Sequence, residues 1–135
     1  MNYHSVLNSA FATLASLGYH PTLPEALHST LHSKGFPIAV IAPPAVVASE
    51  GEREVQTIFR LSVKFLSKNV LDDAGRAAAI ATLAFHAEQF CALLSSEPNI
   101  FSVAITEIAP IGEVLTVAGE VAVGLSADVK RIECN

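Results

Sequence analysis

The stretch DDAGRAAAIATLAFHAEQFCALLSS, Asp72 to Ser96, separates two blocks of strand-like sequence, and its period decides how they are arranged. Asp72 stands where an N-cap acceptor is wanted, and Asp73 adds negative charge to a first turn whose free N–H groups favour it. Ile80, Leu83, Ala84, Ala87, Cys91 and Leu94 follow at helical spacing, the stripe of one amphipathic helix lying on an apolar surface. Pro98 stops it. At roughly 1.5 Å per residue such a helix is about 35 Å long, enough to span a small sheet.

Working outward toward the N-terminus, the period of the preceding block is two. Val55, Thr57, Phe59, Leu61, Val63 and Phe65 alternate with Gln56, Arg60, Ser62 and Lys64, which predicts a long half-buried strand. Before it, Pro37–Ile41 and Ala45–Ala48 are β-rich pieces divided by Pro43-Pro44, the pattern of an edge strand or one broken by a bulge. Ser49-Glu50-Gly51-Glu52 reads as the turn that joins them into a hairpin. Further back, Val6, Leu7, Ala10, Phe11, Leu14 and Leu17 share one face of a first helix, Asn2 to Leu17, and Gly18 follows where a left-handed cap is wanted. Thr22-Leu23-Pro24-Glu25 has the spacing of a capping box, predicting a short helix from Leu23 to Ser33 that Gly35 ends.

Beyond Pro98, Phe101, Val103 and Ile105 alternate with Ser102 and Thr106 in a strand that ends near Pro110-Ile111-Gly112-Glu113. In the last strand Leu115, Val117, Val121, Val123, Leu125 and Val129 take one parity, and Glu120, Ser126, Asp128 and Lys130 the other. Gly119 and Gly124 within it mark a bulge or a close backbone approach. Every strand connection is thus a turn or the one long helix. The expected fold is α+β: a two-layer sandwich in which a mostly antiparallel sheet of two hairpins carries the N-terminal helix and the long helix on one face.

The chain has 135 residues, enough for one domain with a core that needs no disulfide or metal. It is 51% hydrophobic and 16% charged, with mean hydropathy +0.46, so some apolar surface is expected to be covered by a partner. The longest apolar run, Phe36 to Ala48, is interrupted by prolines and too short to cross a bilayer, and Met1 to Gly18 reads as helix rather than signal peptide. A cytoplasmic protein with no membrane contact is the expectation. A net charge of −5 with eight dispersed basic residues argues against a phosphate-gripping surface. Cys91 on the helix stripe and Cys134 near the end are read as free thiols.

No stretch declares a chemistry. His28 and His32 stand one turn apart with Glu25 nearby, which suits a divalent metal, but no third His or Cys is tied to them and a solvated polar face is the preferred reading. His86 is expected to be a partly exposed structural histidine, and Cys91 a small core residue rather than a nucleophile. Glu50, Glu52 and Glu54 cluster at a hairpin tip, where charge keeps the tip soluble. The glycines form no phosphate-cradling pattern. No catalytic residue, metal ligand or cofactor is assigned, and the chain is not read as an enzyme.

In the order of its elements the chain resembles the tail terminator and tail-completion (minor tail) proteins of long-tailed bacteriophages and prophages. The features that carry the likeness are the helix Asn2 to Leu17, the strand Val55 to Phe65, the Asp72-Asp73 helix start and the closing strand Leu115 to Cys134. The resemblance implies a structural protein of the virion, found in host cytoplasm during assembly. Its subunits form a ring, commonly a hexamer, at the head-proximal end of the tail tube, joining that tube to head-completion proteins, with DNA passing through the lumen but not specifically bound. A ring subunit buries two different patches, which accounts for excess apolar surface. The interface material expected here is the proline-marked strand, with Phe36, Ile38, Val40, Ile41, Val46 and Val47. The alternative is a small-ligand-binding or catalytic α+β domain with a pocket between helix and sheet.

Overall fold

The structure, a computed structural model, describes residues 3–50, 54–98, 100–112, 115–116 and 118–134. The elements are α1 (Tyr3–Ser16), β1 (His20–Thr22), α2 (Leu27–Lys34), β2 (Ile38–Ile41), β3 (Ala45–Glu50), β4 (Glu54–Ser67), α3 (Asp73–Leu94), β5 (Ile100–Pro110) and β6 (Val121–Cys134). A single turn of 3₁₀ helix, Pro24–Ala26, leads into α2. The fold is α+β, as the alternation of periods implies.

The sheet is built on β4 and β6, which pair antiparallel along their whole length, from Glu54↔Cys134 to Ser67↔Val121. Strand order is β1-β2-β4-β6-β5, and β3 follows β2 along the same flank of β4. Pro43-Pro44 lies between those two strands, so one broken strand serves the long β4 in two pieces. Because side chains alternate, the register Phe59↔Val129, Val63↔Leu125 and Phe65↔Val123 turns these residues to one face. There they meet Val6, Ala10 and Leu14 of α1 and Leu83, Ala87, Phe90, Cys91 and Leu94 of α3. Taking each such large side chain out of water contributes about 1.5–3 kcal/mol.

α3 begins as its sequence implies. The Asp72 carboxylate accepts from the Gly75 N–H at 2.7 Å, and the helix runs to Leu94 with Ser95 as C-cap. Gly18 follows α1 with φ +90°, a conformation that a side chain would disfavour.

The sheet is mostly antiparallel as expected, but several details are corrected. His20–Thr22 forms an added strand, parallel to β2; three residues containing a proline have no alternation to reveal it, and the pairing comes from β2. The capping box does not form. Thr22 is buried, its hydroxyl donates to the Leu23 carbonyl and accepts from Thr30, and α2 starts at Leu27. α2 packs on the second face of the sheet, where Leu27 joins Ile38, Val40, Leu66 and Ala122. The last strand starts at Val121 rather than Leu115, after Gly119 with φ +67°, and Leu115 packs against that second cluster.

The reason for the late start is Glu120, assigned by parity to the polar side yet only 4% exposed. Its carboxylate accepts from the Leu115 and Thr116 N–H groups at 2.8 and 2.9 Å and from the Thr116 hydroxyl at 2.8 Å, folding the chain into a turn. A charge-assisted triple acceptor is a strong local tie. β3 also runs to Glu50, past the expected start of the turn; residues 51–53 lie outside the described residues.

Candidate assembly surfaces

The outer strands of the sheet are β1 and β3 on one side and β5 on the other; among the described strands β1 pairs only with β2, β3 only with β4, and β5 only with β6, and β3 and β5 are the longer edges. A row of edge N–H and C=O groups is a template for another chain unless it is blunted. Each of the two longer edges carries a register shift, at Val46/Ala48 in β3 and at Ile100/Ser102 and Ile105/Glu107 in β5. Each also exposes large apolar side chains: Val46 (55%) and Val47 on β3, Phe101 (65%) and Ile105 on β5. The Lys130 ammonium lies 5.7 Å from the Phe101 ring centroid, which shields one side of it.

Of the residues expected at an interface, Ile38 and Ile41 are fully buried and Val40 nearly so, within the core of this chain. They form the pieces of β2 between β1 and β4 and have no surface to give a partner. Phe36 is half-buried against the second cluster. Val46 and Val47 alone in that group stand outward, on the outer strand β3 where its register shifts. Phe101 and Ile105, expected as strand residues, are exposed on β5, and the signal for this is an apolar strand in a chain short of charged residues.

α3 is apolar on both sides. Ala77, Ala78, Ala81, Phe85 and Leu93 are exposed opposite the buried stripe, and the fully buried Phe90 is an addition to the stripe expected from Ile80, Leu83, Ala84, Ala87, Cys91 and Leu94. Phe90 lies three residues after Ala87 and four before Leu94, so spacing does place it inside. By length and apolarity alone Asp73–Leu94 meets the requirement for a membrane span, which corrects the expectation that no stretch of this chain does.

The candidates for chemistry are dispersed. His28 and His32 are exposed on α2, and among the described residues no three His, Cys, Asp or Glu side chains gather as a metal site would require. His86 Nδ1 is 2.6 Å from the Tyr19 hydroxyl, and Tyr19 sits edge-on to Phe65 and 3% exposed. With the phenol donating, the imidazole is its Nε2–H tautomer. Burial pushes the phenol up to about 12. Cys91 is buried, and its thiol is pushed up to about 11, first by burial and then by the Glu88 carboxylate. A thiol so far from ionising is a poor nucleophile. The side chains of Glu50, Glu54 and Cys134 lie outside the described ones, as does Glu52.

The uncovered part of the second face is polar, with Arg60, Ser62, Lys64, Ser126 and Asp128; Arg60 Nε donates to Asp128 Oδ1 at 3.1 Å. At the border between this polar area and α2 is a cavity of about 160 Å³ with walls of Pro24, Leu27, Val40, Ala42 and Leu115 and with Ser62 and Lys64 beside it. Among the described residues Lys64 makes no ion pair or hydrogen bond. No protein-family model and no curated protein matches this chain.

Proposed function

We propose that this chain is a structural subunit that assembles into a ring, in the manner of the tail terminators that its order of elements resembles. The observation that carries the reading is the pair of apolar edges. One subunit presents Val46 and Val47 on β3 and Phe101 and Ile105 on β5, two different surfaces at opposite flanks of one sheet. Head-to-tail contact between unlike surfaces closes a ring when the rotation permits. In such a ring α1 and α3 occupy one side of the sheet and the polar strip of Arg60, Lys64 and Asp128 the other, where a channel would run. That strip is mixed in charge, so it neither repels nor grips a polyanion strongly. Tail tube and head-completion proteins are the partners this reading names.

The small-ligand alternative has one specific observation, the cavity beside Lys64. Its walls are mostly apolar, and among the described residues Ser62 and Lys64 are the only polar ones lining it, fewer than the converging set that orients a substrate.

Light scattering across a wide range of concentration tests the assembly. The expected result is a discrete multi-subunit mass that Val46→Lys and Phe101→Lys each lower, since a lysine on an edge opposes pairing. A mass indifferent to both substitutions removes the two-edge ring.

A further inference from the structure

Leu71 is 91% exposed, far more than any other large apolar side chain described. An isolated surface leucine needs no explanation, but this one is held in place. Arg76 Nη1 donates to the Asn69 Oδ1 at 2.9 Å and to the Val70 carbonyl at 3.0 Å, tying the segment before α3 back onto the first turn of that helix. A side-chain carbon at Gly75 would lie 2.6 Å from Val70 Cγ1 and 2.7 Å from Asp72 Oδ1, so any larger residue there would force Val70 or the capping Asp72 to move. Two of its neighbours are acidic. Asp72 is occupied as N-cap, whereas exposed Asp73 makes no hydrogen bond or ion pair among the described residues. The result is a fixed apolar knob with a carboxylate to spare.

The cavity beside Lys64 is its complement. Pro24, Leu27, Val40, Ala42 and Leu115 offer apolar walls, and about 160 Å³ admits a leucine side chain. For scale, a dry cavity of about 150 Å³ holds benzene. At its rim the exposed Lys64 ammonium has no partner among the described residues.

We infer that Leu71 of one copy seats in the cavity of a second copy, with Asp73 facing Lys64. The match is of size, of polarity and of charge sign, and holding the knob in shape beforehand lowers the entropy of docking. The contact joins two different patches, so it is head-to-tail, and it rests on the assembly reading for its role in a ring though not for its chemistry.

Two measurements on the full chain test it. Unlabelled chain is titrated into isotope-labelled Leu71→Ser chain, which keeps the cavity and lacks the knob, while amide shifts are followed. Saturable shifts at Leu27, Val40, Lys64 and Leu115 are expected, weakened about tenfold when the unlabelled chain also carries Leu71→Ser, the order of a leucine's transfer from water. Lys64→Asp in the labelled chain is expected to weaken binding, and Asp73→Lys in the unlabelled chain to restore it. Absent shifts, shifts confined to other residues, or indifference to Leu71→Ser overturn the contact. The second measurement is the mass of the Leu71→Ser variant, which folds because the side chain it changes is exposed. A multi-subunit mass that this variant leaves unchanged overturns the contact and leaves the two-edge ring standing; a mass that Leu71→Ser lowers but Val46→Lys and Phe101→Lys do not keeps the contact and removes the two-edge ring.

Discussion

The two sides of α3 are alike in composition and opposite in circumstance. On one side Leu83, Ala87, Phe90, Cys91 and Leu94 are buried against the sheet and α1. On the other Ala77, Ala78, Ala81, Phe85 and Leu93 face outward, with Phe85 at 56% and Leu93 at 45% exposed. A helix apolar all round is one expected to be covered all round. Within this chain only half of it is. Composition therefore reports how much apolar surface a helix has, while its neighbours decide how much of that surface holds the fold together.

The contrast predicts unequal effects. Phe90→Ala is expected to cost about 3–5 kcal/mol in chemical denaturation, because the cavity it leaves is enclosed by Phe65 and the sheet. A loss as small as that of a surface substitution would show that the inner side is not the core.

Alkaline pH probes the same inner side. The folded chain favours the protonated forms of Tyr19, pushed up to about 12, and Cys91, pushed up to about 11, over ordinary values of 10.0 and 9.0. The unfolded chain releases these protons first, so their contribution is whole below about pH 9 and is lost as pH rises through about 12. Urea titrations along that range should show falling stability, with a shallower fall in Tyr19→Phe. An unchanged slope in that variant would detach the phenol from the effect.

At the helix start, Asp72→Ala removes the acceptor for Gly75 and is expected to cost about 1 kcal/mol in the same assay. The outer side should respond least. Phe85→Ser is expected to alter stability by no more than about 0.5 kcal/mol. If it cost as much as Phe90→Ala, the two sides would not differ in the way that their burial implies.

How much of this was legible depended on whether a pattern was local. The stripe of α3, the cap at Asp72 and the long alternation of β4 are written in neighbouring residues, and all three appear in the fold. The broken strand was legible through Pro43-Pro44 as a break and as a candidate edge. What differed was which piece lies at the edge: β3 does, whereas β2 is enclosed between β1 and β4. Ile38 and Val46 are both apolar β-formers, so their composition could not tell core from surface. Glu120 is the sharpest case. Its polar parity pointed to solvent, but the N–H groups of Leu115 and Thr116 call the carboxylate inward.

Periodicity and caps come from contacts a few residues long, and on those the chain was explicit: an α+β order, a helix laid on a sheet, and more apolar side chains than one small core needs. Pairing partners and burial depend on residues far away in the chain. The parallel β1, the placing of α2 on the second face, the cavity beside Lys64 and the outward Leu71 all arose that way, because each is defined by the space between elements rather than by the order of residues within one.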